Sequence, residues 1–380
     1  MKTATKRCRK HDESKMVSRN KNGCFTLLPD DLIMDILQKL PSDILRYKTR
    51  FVCKQWFNII TNIILLDHAS LILETNGGPF GCQKVRLMDL QEDNEGLKMK
   101  DQYINIDTPY NKGTIKAWCN EYLLMTHLYN GCLYVFNLIT KVASYLPSCT
   151  LPCGRHFAGK SGLGLSYDGF KGVYKVVHVS MGPPIQCEIL IFNDNLSFNG
   201  CVRWKKIDGP CYTGQRKFYW DDPVSVQGRY FHWDVHSCKY LVSMDTVKER
   251  FRQTRLPGLK YFSTNNQYCF VEMCGFLTIL FKDSPEIINV WMLKDFQKTK
   301  WKKLHSIAIT SSVRSSIYPG NSLPVPITSV KSGRYLIFRK PVCDSGLYSY
   351  DLKDKVMKRL DIVIAPMERC VVQTAATSFS

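Results

Sequence analysis

The sequence predicts an α+β multidomain protein, with a small N-terminal helical unit followed by an all-β propeller of about six blades. Two observations carry that expectation. Apolar spacing changes from helical to strand-like near residue 67. Beyond that point, a unit of strand, Asx turn and strand recurs about every 50 residues.

Composition sets the outer bounds. The chain has 380 residues, 44% hydrophobic and 22% charged, which is ordinary for globular domains and long enough for more than one core. Disorder and a disulfide-stapled miniprotein are thereby excluded. No stretch approaches the roughly 18 uninterrupted apolar residues of a membrane span, so no membrane role is expected. The opening MKTATKRCRKHDESKMVSRNKNG has no apolar segment behind its charges, so it is not a secretory signal. The expected location is intracellular, nucleus and/or cytoplasm. The 16 cysteines are irregularly spaced, and several, such as Cys53, Cys132 and Cys187, sit in apolar runs. They read as reduced core thiols.

The net charge is +19 at pH 7. Residues 1–22 carry eight Lys or Arg against Asp12 and Glu13, so most of the excess is spread over the rest of the chain. Residues 1–24 read as a basic disordered tail, and its Lys6, Arg7, Arg9 and Lys10 are either a nuclear-import patch or simply solvated. A basic balance speaks to solubility and steering and does not by itself define a site.

Residues 25–66 read as helical. Pro29 suits a first turn, Asp30 and Asp31 favour a helix N-terminus, and Leu32, Ile36, Leu37 and Leu40 form one apolar face. Pro41 interrupts that helix. Ile44, Leu45, Phe51, Val52, Trp56, Phe57, Ile59 and Ile60 then suggest two further short helices, with one side left for a partner.

Residues 67–363 read as the propeller, and 364–380 as a C-terminal tail. The repeats centre on Asp89, Asn137, Asn193, Asp245, Asp295 and Asp351, at intervals of 48 to 56 residues. Several are preceded by a further strand, as in GVYKVVHVS, GRYFHWDVH, CGFLTILFK and SGRYLIFRK. Four strands in about 50 residues is a kelch-like blade, which must stack on neighbours because it cannot bury both faces alone.

The segment FTLLPDDLIMDILQKLPSDILRYKTRFVCKQWFNIITN strongly resembles an F-box, with its Leu-Pro, its Ile-Leu-x-x-Leu-Pro and its Val-Cys-Lys-x-Trp. The stretch between Pro41 and Val52 is about one residue longer than the usual pattern. Downstream, SGLGLSYDGFKGVYKVVHV, RYFHWDVHSCKYLVSMDTVKERFRQTRLP and WMLKDFQKTKWKKL resemble plant F-box-associated domains.

The resemblance implies a substrate-recognition subunit of an SCF (Skp, cullin, F-box) ubiquitin ligase. Such a subunit docks on a Skp-type adaptor, and through it on the cullin scaffold, while the propeller captures a protein substrate that the sequence does not identify. Carried over by motif, the adaptor-binding residues are Leu28, Pro29, Ile36, Leu37, Leu40, Pro41, Leu45, Val52, Cys53, Lys54 and Trp56. Leu37, Val52 and Trp56 read equally well as internal core of the helices. The alternative is a basic propeller that binds nucleic acid or a partner outside a ligase. It leaves the F-box motif unexplained, so nucleic acid is disfavoured.

No catalytic residue, metal or cofactor is expected. GLSYD, from Gly164 to Asp168, lacks the final glycine of a nucleophile elbow and reads as a turn. His232 and His236 lack a third ligand nearby and are expected at a blade edge or surface. Cys149/Cys153 and Cys269/Cys274 lack the Cys-x-x-Cys spacing of structural zinc, and no Gly-Lys-Ser/Thr phosphate loop occurs. Trp118, Trp204, Trp220, Trp233, Trp291 and Trp301 are expected mainly to pack between blades.

Overall fold

The computed structural model describes residues 28–37, 39, 40, 49, 52–60, 68–75, 84–93, 96–105, 113–127, 131–151, 161–168, 171–180, 182, 184–193, 202–210, 220, 222–234, 240–257, 268–284, 286–308, 325–330, 333–339, 346–363 and 369–374. The basic tail, Pro41, Leu45, Cys153 and His236 lie outside them.

Among the described residues two helices come first, α1 (Asp30–Leu37) and α2 (Lys54–Ile59). Twenty-four described strands follow. They are β1 (His68–Thr75), β2 (Lys84–Asp93) and β3 (Gly96–Asn105); β4 (Gly113–Cys119), β5 (Tyr122–His127), β6 (Leu133–Asn137) and β7 (Ala143–Tyr145), which make unit I; and β8 (Gly162–Asp168), β9 (Val173–Val179), β10 (Cys187–Phe192) and β11 (Lys205–Ile207), unit II. Unit III is β12 (Val224–Val226), β13 (Tyr230–Trp233), β14 (Tyr240–Asp245) and β15 (Arg250–Arg255). Unit IV is β16 (Tyr268–Met273), β17 (Phe276–Ser284), β18 (Ile287–Asp295) and β19 (Lys300–Ala308). Unit V is β20 (Val325–Val330), β21 (Tyr335–Arg339), β22 (Gly346–Asp351) and β23 (Val356–Val363), and β24 is Arg369–Thr374.

The strands make five sheets, against about six expected: four of four strands and one of eight, ordered β3-β2-β1-β24-β4-β5-β6-β7. The difference lies in that eight-stranded sheet. Among the described residues its halves join only where Gln373 and Thr374 pair in parallel with Trp118 and Cys119. One half is unit I and the other, β24-β1-β2-β3, is a sixth four-stranded unit. Arg369–Thr374 falls within the segment expected as a C-terminal tail. It instead pairs antiparallel with β1, Glu74 opposite Arg369 and Leu71 opposite Val372. Strands from the two ends of the propeller sequence thus share one sheet, which leaves no unpaired inner edge there.

Burial explains why the strands read as continuous apolar runs. Successive residues of a strand point to opposite faces. In a middle strand of each unit, the second in all but unit III and the third there, both faces are buried against different neighbours. Leu123 and Leu124, Val176 and Val177, Leu241 and Val242, Ile279 and Leu280, Leu336 and Ile337, and Leu71 and Ile72 each divide between two adjacent cores. Six such cores lie among the described residues, one between each neighbouring pair of units, and the last joins β1 and β2 to unit I through Ile72, Val85, Leu123 and Phe136. The units therefore form a closed ring. A two-sheet sandwich would give one shared core, with the outer faces polar.

The hairpin between third and fourth strands repeats in detail. Asn137 Oδ1 accepts the backbone N–H of Ile139 at 2.8 Å and of Thr140 at 3.0 Å. Asp245 Oδ1 does the same for Val247 and Lys248, Asp351 Oδ1 for Lys353 and Asp354, and Asp295 Oδ1 for Lys298. Four residues on, Lys141, Glu249, Thr299 and Lys355 each adopt a φ between 53° and 59° to close the turn. Asp89 departs from the expectation. It lies inside β2, opposite Ser70 and Lys100, where a ladder on each side occupies the backbone, and the reversal comes after Asp93.

GLSYD is also corrected: Gly162–Asp168 is β8, buried along its whole length. Its glycines admit the next unit's aromatic rings. A Cβ on Gly164 would lie 2.7 Å from the Phe231 ring, and one on Gly162 would lie 3.1 Å from Trp233 Nε1. His232, expected at an edge or surface, is buried in β13 with Nδ1 2.8 Å from Ser243 Oγ. Burial, with Arg252 nearby, pulls its pKa down to about 3, so this imidazole is neutral.

The tryptophans pack between units. Trp118, Trp204, Trp220 and Trp233 are buried, while Trp291 and Trp301 pack on the core between units III and IV. Two of them repeat one latch. Trp204 Nε1 donates to the Pro147 carbonyl at 2.7 Å, and Trp301 Nε1 donates to the Arg255 carbonyl at 2.8 Å. Each fastens a fourth strand to the end of the preceding unit's fourth strand.

Candidate functional site

The candidate docking surface is on the helices. Ile33 and Leu37, one turn apart on α1, are buried against Ile59 and Ile60, with Leu28, Met34, Leu40 and Trp56 packed around them. Gln55 Nε2 donates to Asp30 Oδ1 at 2.6 Å, which ties α2 to the start of α1. The Pro29 carbonyl accepts the Ile33 N–H at 3.1 Å and closes the first turn.

A neighbouring stripe of α1, about 100° round the helix from the buried one, remains apolar and uncovered. Leu32 is 50% exposed and Ile36 46%; Pro29 precedes Leu32 by three residues, so the three share one stripe. Val52, just before α2, is 61% exposed. Burying such a side chain contributes about 1.5–3 kcal/mol, which this chain leaves unrealised at several adjacent positions.

The eleven residues carried over by motif therefore separate. Pro29, Ile36 and Val52 face outward. Leu37 is fully buried and turns into the helical core, and Leu28, Leu40, Cys53 and Trp56 are half-buried. The Lys54 side chain, Pro41 and Leu45 lie outside the described residues. Leu32 was not among the eleven, yet it is the most exposed large apolar residue of α1. The i, i+4 relation between Leu32 and Ile36 was the available signal for it.

The propeller's two ends differ. First-to-second and third-to-fourth connections share one end, and the third-to-fourth turns in units III to V are four residues long. The second-to-third and unit-to-unit connections share the other end. There β7 to β8, β11 to β12 and β19 to β20 are each separated by 16 residues, and β15 to β16 by 12.

Exposed cations line the fourth strands: Lys205 and Lys206 on β11, Arg250 and Arg255 on β15, Lys300, Lys302 and Lys303 on β19, and Lys358 and Arg359 on β23. These strands end their sheets, where charge keeps an unpaired edge from pairing with another chain. Edge protection thus accounts for part of the positive balance.

A second cluster, unseen in the sequence, gathers Cys149, His178 and Glu188 within 4.8 Å. No spacing rule links residues so far apart in the chain. None of the eight described cysteines is in a disulfide; Cys119 and Cys187 are buried as expected of core thiols, whereas Cys132 is exposed.

Residues 91–375 match the family model described as an F-box associated beta propeller domain, and residues 25–68 match the F-box domain. The chain belongs to the F-box-associated propeller family. Among curated relatives, this F-box protein is 22% identical to the Arabidopsis thaliana F-box protein At3g07870, over 75% of this chain and 73% of the relative. It is 24% identical to a second Arabidopsis thaliana chain named as an F-box protein, At4g21240, over 95% of this chain and 87% of the relative. A chain of a solved nidogen/laminin complex aligns with a TM-score of 0.45 and 11% identity, covering 82% of this chain and 100% of that one. F-box proteins with this second domain serve in general as receptor subunits of SCF ubiquitin ligases, a family that is generally non-catalytic and binds Skp-type adaptors through the F-box. No described helix is long and apolar enough to cross a membrane.

Proposed function

We propose that this chain is the substrate-recognition subunit of an SCF-type ubiquitin ligase, docking on a Skp-type adaptor through Pro29, Leu32, Ile36 and Val52. The carrying observation is the division of α1 into two apolar faces, one buried on α2 and one left in water. A helix with one internal and one uncovered apolar face fits a partner groove, where a few central anchors supply most of the affinity. Leu37 and Trp56 act by holding α1 and α2 in place.

Substrate capture is assigned to the end of the ring that carries the long connections. Tight Asx turns offer little sequence to vary, whereas connections of 12 to 16 residues on a rigid ring are suited to specific recognition. The ligase mechanism is proximity. A target on the propeller and an adaptor on the helices bring the target's lysines to the charged ubiquitin carrier at high effective concentration. No residue of this chain takes part in that chemistry.

The test is reconstitution with adaptor, cullin, ubiquitin carrier and protein partners recovered on the propeller. Ubiquitin transfer to a bound partner that requires both the chain and an intact Ile36 supports the reading. Partners that bind and are never modified contradict it.

A further inference from the structure

Cys149, His178 and Glu188 form a cluster for which adaptor docking has no use. His178 and Glu188 face each other across β9 and β10, and both side chains are completely buried. His178 Nδ1 lies 2.9 Å from Glu188 Oε1. The same carboxylate accepts the Thr150 N–H at 3.1 Å and hydroxyl at 2.6 Å on Oε2, and the Leu151 N–H at 3.4 Å on Oε1. Its oxygens are thus committed to the segment beside Cys149. With Nδ1 given to Glu188, Nε2 is the ring nitrogen left for Cys149, whose side chain hydrogen-bonds this imidazole.

Apolar groups also border the His178 ring. Leu163 on β8 is its other cross-strand partner, and the Trp204 ring stands edge-on with centroids 6.2 Å apart. Burial alone would push His178 down, but the bonds to Cys149 and Glu188 prevail and raise its pKa. Glu188, despite its own burial, is lowered by His178 and Thr150. Cys149 is only half-buried, between exposed Ser148 and Thr150. A half-buried cysteine, packed on the core between units I and II, therefore stands beside an imidazole and a carboxylate shut away from solvent.

We propose that Cys149 is a reactive thiol, activated by His178 and oriented through Glu188, and that it is a site of covalent modification by soft carbon electrophiles. A thiol hydrogen-bonded to a carboxylate-oriented imidazole is the arrangement that makes sulfur nucleophilic near neutral pH. With an α-halo amide, sulfur forms a bond to carbon and the carbon–halogen bond breaks. Halide leaves with the electron pair, and the thiol proton passes to His178 and then to solvent. The step needs no oxidant. A metal ion bound by all three groups would have to displace the donors already on Glu188. The cluster sits where β9 ends and β10 begins, on the end of the ring with the long connections. An adduct there would alter the β7–β8 connection between units I and II.

The test is the rate of Cys149 alkylation by iodoacetamide in the full chain, followed by peptide mass spectrometry from pH 6 to pH 8, with N-acetylcysteine in the same tube. A simple thiol loses about tenfold in rate per pH unit below its pKa. The expected result is a Cys149 rate that changes less than about threefold across a range where the reference thiol changes nearly 100-fold. His178→Gln should restore the steep slope, and Glu188→Gln should restore part of it. The pH slope of the unaltered protein decides the matter even if a variant fails to fold. A slope equal to the reference overturns the proposal, as does a Cys149 that reacts only after a chelator is added.

Discussion

Arg229 holds Asp245 by two hydrogen bonds, Nε to Oδ1 at 3.1 Å and Nη2 to Oδ2 at 2.7 Å, and so fastens the start of β13 to the end of β14. Arg334 holds Asp351 at the same place in unit V, with 2.8 Å from Nη2 to Oδ2. The backbone repeats as well. Thr246 N–H donates to the Arg229 carbonyl at 2.9 Å, and Leu352 N–H to the Arg334 carbonyl at 2.9 Å. In unit I, Leu138 N–H makes the same bond to Glu121 at 2.7 Å, without the arginine.

Asp245 thus serves the ion pair and the Asx turn with one carboxylate. Asp245→Asn keeps an oxygen for the Val247 and Lys248 N–H groups but gives up the charge, whereas Asp245→Ala gives up both. The expected order of stability in urea is wild type, then Asn, then Ala. The Ala variant should lie about 2 kcal/mol below wild type, the cost of leaving partly buried partners unsatisfied. Equal losses for Asn and Ala would remove the turn from the account.

These corners also set an acid limit. Burial alone would raise Asp351, but the Arg334 hydrogen bond prevails and lowers its pKa to about 2; Arg229 lowers Asp245 in the same direction. Groups depressed on folding stabilise fully above their unfolded value of about 3.9, and that contribution is lost as pH falls through the folded value. The urea midpoint should therefore drop between about pH 4 and pH 2, and Asp351→Asn should make that drop shallower. An unchanged slope in the variant would mean that Asp351 is not a source of the acid loss.

Gly164 tests the contact between units II and III. A Cβ there meets three Phe231 ring carbons at 2.7 to 3.1 Å, and both residues belong to strands with little room to move. Gly164→Ala should cost about 1–3 kcal/mol through overpacking, and shortening the ring with Phe231→Leu should recover part of the loss. A Gly164→Ala variant as stable as wild type, measured by urea unfolding, would contradict the close approach.

Much of this fold was legible because its rules are local and repeated. The Asx residues at 137, 245, 295 and 351 mark real turns, and the apolar runs mark strands buried on both faces. Misreadings came where residue type carried a meaning that packing reassigned. Asp89 looked like a turn residue and is laddered inside β2, while GLSYD looked like a reversal and its Gly164 is a clearance for the Phe231 ring. The pairing of Arg369–Thr374 with β1 joins residues about 300 apart, a relation no local pattern encodes. On α1, spacing identified an apolar helix but did not separate its faces. Ile36 and Leu37 are adjacent in sequence, and only the position of α2 sends one outward and the other inward. Cys149, His178 and Glu188 are likewise assembled by strand register alone.

The most direct measurement of the central claim is titration of a purified Skp-type adaptor into the full chain, beside an Ile36→Glu variant whose propeller is checked by near-UV circular dichroism. Wild type should bind saturably, and the variant should lose at least about 30-fold, or ~2 kcal/mol, with the propeller signal unchanged. A folded wild-type chain that does not bind, or a variant that binds equally well, would contradict it.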